Sequence, residues 1–337
     1  MSGLIETDIA IVGAGPTGLF AVFEAGMLKM RCVVIDTLPA VGGQCAALYP
    51  EKPIYDIPGH PRIDAQALVD QLVEQAAPFA PHYLLDQQVM ALGAQDGGWR
   101  LTTSGGQQVQ ARAVIVAAGA GAFGPNRPPL DGIEAFEGSS VHYMVGKREA
   151  YRGKRVVIAG GGDSAVDWAI SLAEVAAHVA VVHRRPKFRA APESTDRLDR
   201  MAREGLIELV VPYQLAGLEG ANGQLSGVRV ATLDGVEKVV PADVLLPFFG
   251  LAMTLGPIAD WGLDLERGHI RVEPATLATN TPGIFAVGDI ASYPGKLKLI
   301  LSGFSEAAMA CHAIHPLVHP DTALHFEYST SRGVPAA

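Results

Sequence analysis

Two glycine-rich turns, each between an apolar strand and a helical pattern, constrain the fold of this chain more than any other feature. The first turn, residues 13–18, follows a β-branched run at 8–12 and leads into apolar residues at helical spacing up to 29. The second, residues 160–165, follows a similar run at 155–159. Glycines in such turns permit a tight turn, close approach of a pyrophosphate and close packing of helix on strand. The sequence therefore predicts two dinucleotide-binding βαβ units.

An acidic residue in the first unit indicates a nucleotide with a free ribose 2′-hydroxyl. Asp36 ends the second predicted strand, 23 positions after Gly13. A carboxylate there can accept hydrogen bonds from ribose hydroxyls, and the helix N-terminus faces the phosphates. The residues alone leave both FAD and NAD open as the ligand of this unit.

The second unit carries basic residues where the first carries its acid. His183 lies 23 positions after Gly160 and is followed by Arg184, Arg185 and Arg189. A guanidinium presents a planar fork to phosphate oxygens, which suits a ribose 2′-phosphate. This unit is therefore predicted to bind NADPH. The alternative is a solvated basic face without a ligand.

The rest of the chain predicts an α/β fold of two Rossmann-like dinucleotide-binding domains, the second inserted into the first. Small residues at 117–121 are typical of a crossing between domains. Alternating apolar and polar residues at 87–114 and 214–240 predict a small antiparallel sheet in each half. The predicted domains are 1–118 with 249–337 for the first and 119–248 for the second.

Composition and charge exclude several other classes. Hydrophobic residues make up 49% and charged residues 18% of the chain, which excludes a disordered protein. The net charge of −9 argues against nucleic-acid binding. The longest uncharged stretch, 244–259, is interrupted by proline and glycine and is too short for a membrane helix. Glu6 and Asp8 stand where a secretory signal would carry basic residues, so we expect a cytoplasmic protein.

The order of these motifs resembles the flavoproteins that carry two dinucleotide-binding domains, at the short length of the thioredoxin reductases. The match covers nearly the whole chain and includes Gly-Gly-Gln at 42–44 and Gly-Asp at 288–289. The resemblance implies FAD in the first domain and NADPH in the second, with Asp289 holding the ribityl hydroxyls of the flavin. The residues predicted to bind FAD are Gly13, Gly15, Thr17, Gly18, Asp36, Gln44, Tyr49, Asp289, Ser305 and Ser329. Those predicted to bind NADP are Gly160, Gly162, Asp163, Ser164, His183, Arg184, Arg185 and Arg189.

A disulfide reductase is excluded because dithiol exchange needs two thiols. Thioredoxin reductases carry Cys-x-x-Cys just before the second unit, but residues 141–146 contain no cysteine. The other large class carries its pair after Gly-Gly near the flavin, and Cys45 has no second cysteine within reach. Together with Cys32 and Cys311 it makes three distant cysteines, which predicts neither a disulfide framework nor a metal site. Cys45 is interpreted as a small buried hydrophobe.

The remaining marks are similar to the ferredoxin-NADP reductases of the thioredoxin-reductase-like type. They are residues 42–56, 142–143 and 160–168, together with a tail beyond the last helix. The resemblance implies FAD-mediated electron transfer between NADPH and ferredoxin or flavodoxin, without a catalytic side chain. It further implies a homodimer in which Tyr49 stacks on one face of the flavin and Tyr328 of the partner subunit's tail covers the other. A helix predicted from 302 to about 314 would point its N-terminus at the flavin.

Two other functions stay open. A flavin oxidase or diaphorase would pass electrons to oxygen or small acceptors, but the sequence shows no extra substrate domain. A non-enzymatic flavin- and NADPH-binding sensor would not need the basic 2′-phosphate site.

Docking of an acidic ferredoxin on a chain of net charge −9 needs a local basic cluster. Two clusters are predicted, with a solvated face as the alternative for either. They are Lys147, Arg148, Arg152, Lys154 and Arg155, and the pair Lys296 and Lys298.

Overall fold

The computed structural model describes residues 3–119, 121–322, 324 and 333, with the backbone alone for 122–125 and 251–253. The chain divides into two compact units. Unit 1 consists of Met1–Phe123 and Met253–Ala337, and unit 2 is Gly124–Ala252. The domain prediction placed the two breaks a few residues earlier, at 118/119 and 248/249.

The strands and α-helices follow each other in three blocks. The first block is β1 (Leu4–Val12), α1 (Pro16–Met27), β2 (Cys32–Ile35), α2 (Gly43–Leu48), β3 (Pro53–Ile54), β4 (Ile63–Asp64), α3 (Ala65–Ala76), β5 (His82–Leu84), β6 (Val89–Gln95), β7 (Gly98–Thr103), β8 (Gln108–Val116) and β9 (Ala122–Pro125). The second is β10 (Arg155–Ala159), α4 (Asp163–Leu172), β11 (His178–Val182), α5 (Pro192–Arg203), β12 (Glu208–Val210), β13 (Gln214–Ala221), β14 (Gln224–Ala231), β15 (Glu237–Pro241) and β16 (Val244–Pro247). The third is β17 (Leu251–Thr254), β18 (Leu265–Glu266), β19 (His269–Arg271), β20 (Ile284–Ala286), β21 (Ala291–Ser292) and α6 (Ile300–Val318).

The main sheet of unit 1 has the strand order β5-β2-β1-β8-β7-β6, and β20 also pairs with β8. Strands β5, β2, β1, β8 and β20 pair in parallel, whereas β6, β7 and β8 form an antiparallel meander. Helices α1 and α6 contribute to the core on the face of Ile9 and Ile11, and Ala10 belongs to the core of the opposite face. All three residues are fully buried, as expected for a parallel strand covered on both faces.

Unit 2 contains a four-stranded parallel sheet and a separate three-stranded antiparallel sheet. The parallel sheet has the order β12-β11-β10-β16, and the antiparallel sheet has the order β13-β14-β15. Val157 and Leu245 of the first sheet share one hydrophobic core with Val228 and Val230 of the second. The side chains of the two sheets therefore bury each other.

Several element ends differ from the prediction. Strand β1 begins at Leu4 rather than Asp8, because Thr7 pairs with β8 and its hydroxyl donates to the carbonyl of Arg31 at 2.9 Å. Helix α4 ends at Leu172 instead of continuing to 177, since the chain turns back there and the amide of Ala177 donates to the carbonyl of Lys154. The antiparallel sheet predicted for the first half shares β8 with the parallel sheet instead of standing apart.

Candidate dinucleotide-binding sites

An open cleft lies in unit 1 where β1, β2 and β8 end at their carboxyl edge. Its walls come from the glycine turn at 13–17, the turn at 36–38, residues 43–49, the turn at 288–289 and residues 298–300. The carboxyl edge of a parallel sheet, where the strand order changes direction, is the usual ligand site of such folds.

The three glycines of the first turn have different roles. A Cβ on Gly13 would lie 2.3 Å from the carbonyl oxygen of Ala117, and one on Gly18 would lie 2.0 Å from that of Gly13. At these two positions, any side chain would clash with the backbone of the protein. A Cβ on Gly15 would meet no atom closer than the Cα of Gly43 at 4.0 Å. The space above Gly15 opens into the cleft, which fits the close approach of a pyrophosphate.

Asp36 lines the cleft directly after the end of β2. Its Oδ2 accepts a hydrogen bond from the amide of Ala14 at 2.6 Å, and its Oδ1 accepts one from the amide of Leu38 at 2.8 Å. Burial raises the pKa of Asp36, and the backbone hydrogen bonds oppose this rise. Each carboxylate oxygen has a further lone pair, so Asp36 can still accept a bond from a ribose hydroxyl.

Tyr49, Cys45 and Asp289 lie together at another part of the cleft wall. The Tyr49 hydroxyl is 4.0 Å from the Cys45 sulfur. Burial raises the pKa of the Tyr49 phenol, and burial together with the Asp289 charge raises the pKa of the Cys45 thiol to about 11. Cys45 is therefore a protonated thiol at neutral pH and a poor nucleophile.

The glycine turn of unit 2 repeats this pattern. A Cβ on Gly160 would lie 2.7 Å from the carbonyl oxygen of Phe248, whereas one on Gly162 would meet nothing within 4 Å. The amide of Arg189 donates to the carbonyl of Gly161 at 2.6 Å. The carboxylate of Asp163, in the first turn of α4, accepts the amide of Ala191 at 2.8 Å. The basic segment is thereby fixed beside the open glycine at the N-terminus of α4.

His183 supports the basic segment from inside. Its imidazole covers Gly161, where a Cβ would lie 2.3 Å from the ring, and it stacks on Phe188 with ring centroids 5.2 Å apart. Burial and the neighbouring arginines lower the pKa of His183, so the ring is neutral at pH 7. The positive charge of this segment thus comes from Lys187 and from its arginines. Three of them, Arg184, Arg185 and Arg189, are exposed, as is Ser164 in the first turn of α4.

Comparisons with known proteins assign the chain to a family. Residues 7–311 match the family described as pyridine nucleotide-disulphide oxidoreductase. The chain belongs to this family. It is 67% identical to the ferredoxin–NADP reductase of Paramagnetospirillum magneticum, over 98% of both chains. It is 64% identical to the ferredoxin–NADP reductase of Rhodospirillum rubrum, over 98% of this chain and 97% of that protein.

Solved structures of the oxidoreductase family share the fold. Thioredoxin reductase from Lactococcus lactis superposes with a TM-score of 0.78 at 22% identity, covering 93% of this chain and 99% of that chain. The enzyme from T. acidophilum gives 0.77 at 24% identity, covering 92% and 98%. The predicted family and fold class are confirmed, and FAD and NADPH are the cofactors that this family implies.

The other residues predicted to bind FAD occupy different places in this oxidoreductase fold. Gln44 lines the cleft, and Thr17 lies at its wall beneath Gly288 and Gly303. Ser305 is exposed in the second turn of α6 and is not among the residues that line the cleft. Tyr328 and Ser329 lie outside the described residues.

Sequence reasoning placed the start of α6 slightly too late. The helix begins at Ile300 after the extended residue Leu299, and both residues line the cleft together with Lys298. Ile300 also packs in the same hydrophobic cluster as Tyr49. The positive N-terminal end of a helix of 19 residues therefore lies at the cleft wall near Tyr49. This helix is not long and apolar enough to cross a bilayer, and neither is any other helix in the described part of the chain.

The second predicted docking cluster is wrong at Lys296. Its side chain is only 6% exposed and forms an ion pair with buried Glu306, so its charge does not face a partner. In the first cluster, three arginines already pair with carboxylates. The pairs are Arg148 with Glu174, Arg152 with Glu149, and Arg155 with Asp243.

Replacing Cys45 with serine should leave turnover largely intact. The thiol is buried and protonated, so the substitution removes no reactive nucleophile. The measurement is the steady-state rate with NADPH and an electron acceptor, with Cys311→Ser as a buried-cysteine control in α6. Loss of activity in the Cys45 variant alone, with FAD still bound, would reveal a thiol role and contradict this interpretation.

Proposed function

We propose that this chain is a ferredoxin–NADP reductase that uses FAD to transfer electrons between NADPH and a one-electron carrier. The observation that carries the proposal is the 67% identity to a protein of that name over nearly the whole of both chains. The cysteines support it as well: all three are free and buried, and dithiol exchange has no second thiol beside Cys45.

FAD fits the cleft of unit 1. Gly15 leaves room for the pyrophosphate, Asp36 offers oxygens to the ribose, and Asp289 lies where it can accept the ribityl hydroxyls. NADPH fits the turn of unit 2, where Gly162 is open and the arginines at 184 and 189 supply charge for the 2′-phosphate. When bound, FAD accepts a hydride from NADPH and delivers the electrons one at a time.

The protein side chains orient and shield the cofactor. Tyr49 offers an aromatic face to the flavin, and Leu299 and Ile300 supply apolar surface at the same wall of the cleft. With FAD in the cleft, the N-terminal end of α6 would favour negative charge on the nearby part of the cofactor. In unit 2, the backbone amides at the start of α4 bind the pyrophosphate of NADPH.

The proposal extends to the assembly and the partners. The protein acts as a cytoplasmic homodimer, and the tail of one subunit, with Tyr328 and Ser329, completes the flavin site of the other. Its acceptor is a ferredoxin or a flavodoxin. Lys298, which is exposed, and the cluster at 147–155 remain candidates for docking.

Anaerobic mixing with NADPH tests the proposed activity directly. The flavin absorption should bleach with NADPH and less readily with NADH, and cytochrome c reduction should then depend on added ferredoxin. Rapid oxygen consumption without any effect of ferredoxin would indicate a flavin oxidase instead. Tight NADPH binding without bleaching would indicate a sensor.

Truncation after Glu327 should shift the flavin spectrum, raise oxygen consumption relative to ferredoxin reduction and change the rate of hydride transfer. The reason is that removal of the Tyr328 ring opens one flavin face. The truncation also removes Ser329. FAD should still stay bound through Gly13, Gly15, Gly18, Asp36 and Asp289, because ring stacking contributes only about 0.5–1.5 kcal/mol beyond area burial.

Truncation after Gly333 serves as the matched control, since it shortens the tail but keeps Tyr328. An unchanged spectrum and unchanged kinetics in the shorter protein would refute the role of Tyr328. Sedimentation of both proteins tests the dimer independently.

A further inference from the structure

Helix α6 contains a single acidic residue, Glu306, and that residue is buried. It is 2% exposed, in a helix whose other buried positions are mainly small or apolar. Three donors surround its carboxylate. Oε2 accepts the amide of Gly288 at 2.7 Å, while Oε1 accepts the hydroxyl of Tyr293 at 2.6 Å and the ammonium of Lys296.

The hydrogen bond from Gly288 connects this carboxylate to the cofactor cleft. Gly288 has a left-handed backbone, with φ of 75°, and begins the turn that carries Asp289 into the cleft. The turn is fixed on its other side because β20 pairs with β8 and the amide of Val287 donates to the carbonyl of Val116 at 3.0 Å. The bond to Glu306 therefore fixes the end of the turn from which Asp289 projects.

Lys296 and Tyr293 hold the carboxylate in this position. The side chains of Lys296 and Glu306 are 6% and 3% exposed, so neither charge is solvated by bulk water. Burial and the Glu306 carboxylate raise the pKa of Tyr293 to about 12, so the phenol stays protonated and donates. The ammonium also lies 5.6 Å from the centroid of the Tyr293 ring. A buried ion pair of this kind adds little to stability compared with apolar packing, so packing alone does not account for it.

We propose that Glu306 is a positioning residue for FAD: its carboxylate fixes the Gly288 amide and thereby the placement of Asp289, and Lys296 holds the carboxylate. The inference rests on the proposed function only in taking FAD as the ligand of the cleft. Ferredoxin is not needed to test it. Failure of the ferredoxin assay would thus leave the role of Glu306 standing. Failure of the Glu306 test would likewise leave the proposed function standing.

Two paired substitutions separate the hydrogen bond from the ion pair. In E306Q/K296M, both charges are removed, the amide oxygen can still accept from Gly288, and the amide nitrogen can donate to Tyr293. In E306L/K296M, the charges are also removed, but no acceptor remains for Gly288. Both pairs avoid an isolated buried charge, which a single substitution would create.

Reconstitution of the apoproteins with FAD gives the decisive comparison. E306Q/K296M should bind FAD within about threefold of the native Kd. E306L/K296M should bind about tenfold to a hundredfold more weakly, as expected when the buried Gly288 amide is left without an acceptor, and should show a shifted flavin spectrum. Equal Kd values and equal spectra for both pairs would overturn the proposal.

A second measurement keeps the test decisive if E306L/K296M folds poorly. Amide hydrogen exchange of Gly288 in the apoproteins should be as slow in E306Q/K296M as in the native protein. It should be faster in the single variant Y293F, in which the carboxylate loses the hydroxyl that orients it. Fast exchange of Gly288 in the native apoprotein would show that Glu306 does not hold the turn, and would overturn the proposal without any cofactor present.

Discussion

Replacing Arg184 or Arg189 with alanine should weaken NADPH binding about 10- to 150-fold and leave NADH binding nearly unchanged. Each guanidinium is exposed beside the turn at the N-terminus of α4, where it can donate to a 2′-phosphate that NADH lacks. Loss of a hydrogen bond to a charged group costs about 1.5–3 kcal/mol, and each factor of ten corresponds to about 1.4 kcal/mol. The measurement is the Kd of each nucleotide by titration.

Arg203→Ala is the matched control for this prediction. It removes one positive charge from an exposed position of the same unit, on α5, and should change neither affinity by more than about twofold, as expected for screened surface charge. Equal losses for NADPH and NADH in the Arg184 and Arg189 variants would refute the assignment of the 2′-phosphate site.

Gly15→Ala should abolish most FAD binding without unfolding the protein. Gly15 has φ of −71° and ψ of 179°, which alanine adopts readily, and its Cβ would contact no atom within 3.9 Å apart from its chain neighbours. The methyl group instead occupies the cleft where the pyrophosphate must approach. We expect the Kd for FAD to rise at least tenfold, about 1.4 kcal/mol, with an unchanged melting temperature of the apoprotein.

Gly18→Ala is the contrasting variant. Its Cβ would lie 2.0 Å from the carbonyl oxygen of Gly13, so the start of α1 must move. Overpacking of this kind costs about 1–3 kcal/mol of unfolding free energy, which outweighs the gain of roughly 1 kcal/mol from replacing glycine by alanine within a helix. If Gly15→Ala destabilised the apoprotein as much as Gly18→Ala, Gly15 would be a structural glycine and the cleft assignment would lose its main support.

Local patterns were sufficient to predict much of this fold. The strand at 155–159 begins and ends at the predicted residues. Its apolar, largely β-branched run is not interrupted by polar residues, which is typical of a parallel strand buried on both faces. The glycine turns were recognisable since backbone geometry and close packing leave few alternatives to glycine at positions 13 and 160. The basic segment could be placed by counting from the second turn.

Contacts between distant residues could not be predicted in this way. Sequence reasoning assigned Lys296 to a docking surface, because nothing in its neighbourhood indicates that Glu306, on the next helix, neutralises it. The only signal was a single acidic residue in an otherwise apolar helix. Ser305 illustrates a related limit: the helix was expected, but its earlier start brings Leu299 and Ile300 to the cleft wall, whereas Ser305 is exposed and does not line the cleft.

The amide of Asn126 donates a hydrogen bond to the carbonyl of Gly250 at 3.1 Å, and this bond bears on how the chain folds during translation. Residues 124–252 leave the ribosome before β20, which pairs with β8 at Val114, Ile115 and Val116. Until then, this edge of the first sheet lacks its last parallel strand, and unpaired edges promote aggregation. Once residues 124–252 have folded, their two ends are joined by a hydrogen bond, and the insert acts as a short connection between β8 and β20. The entropy cost of pairing β20 with β8 is then lower than it would be across an unfolded loop of the same length. Early folding of the insert would therefore shorten the time for which this edge stays unpaired.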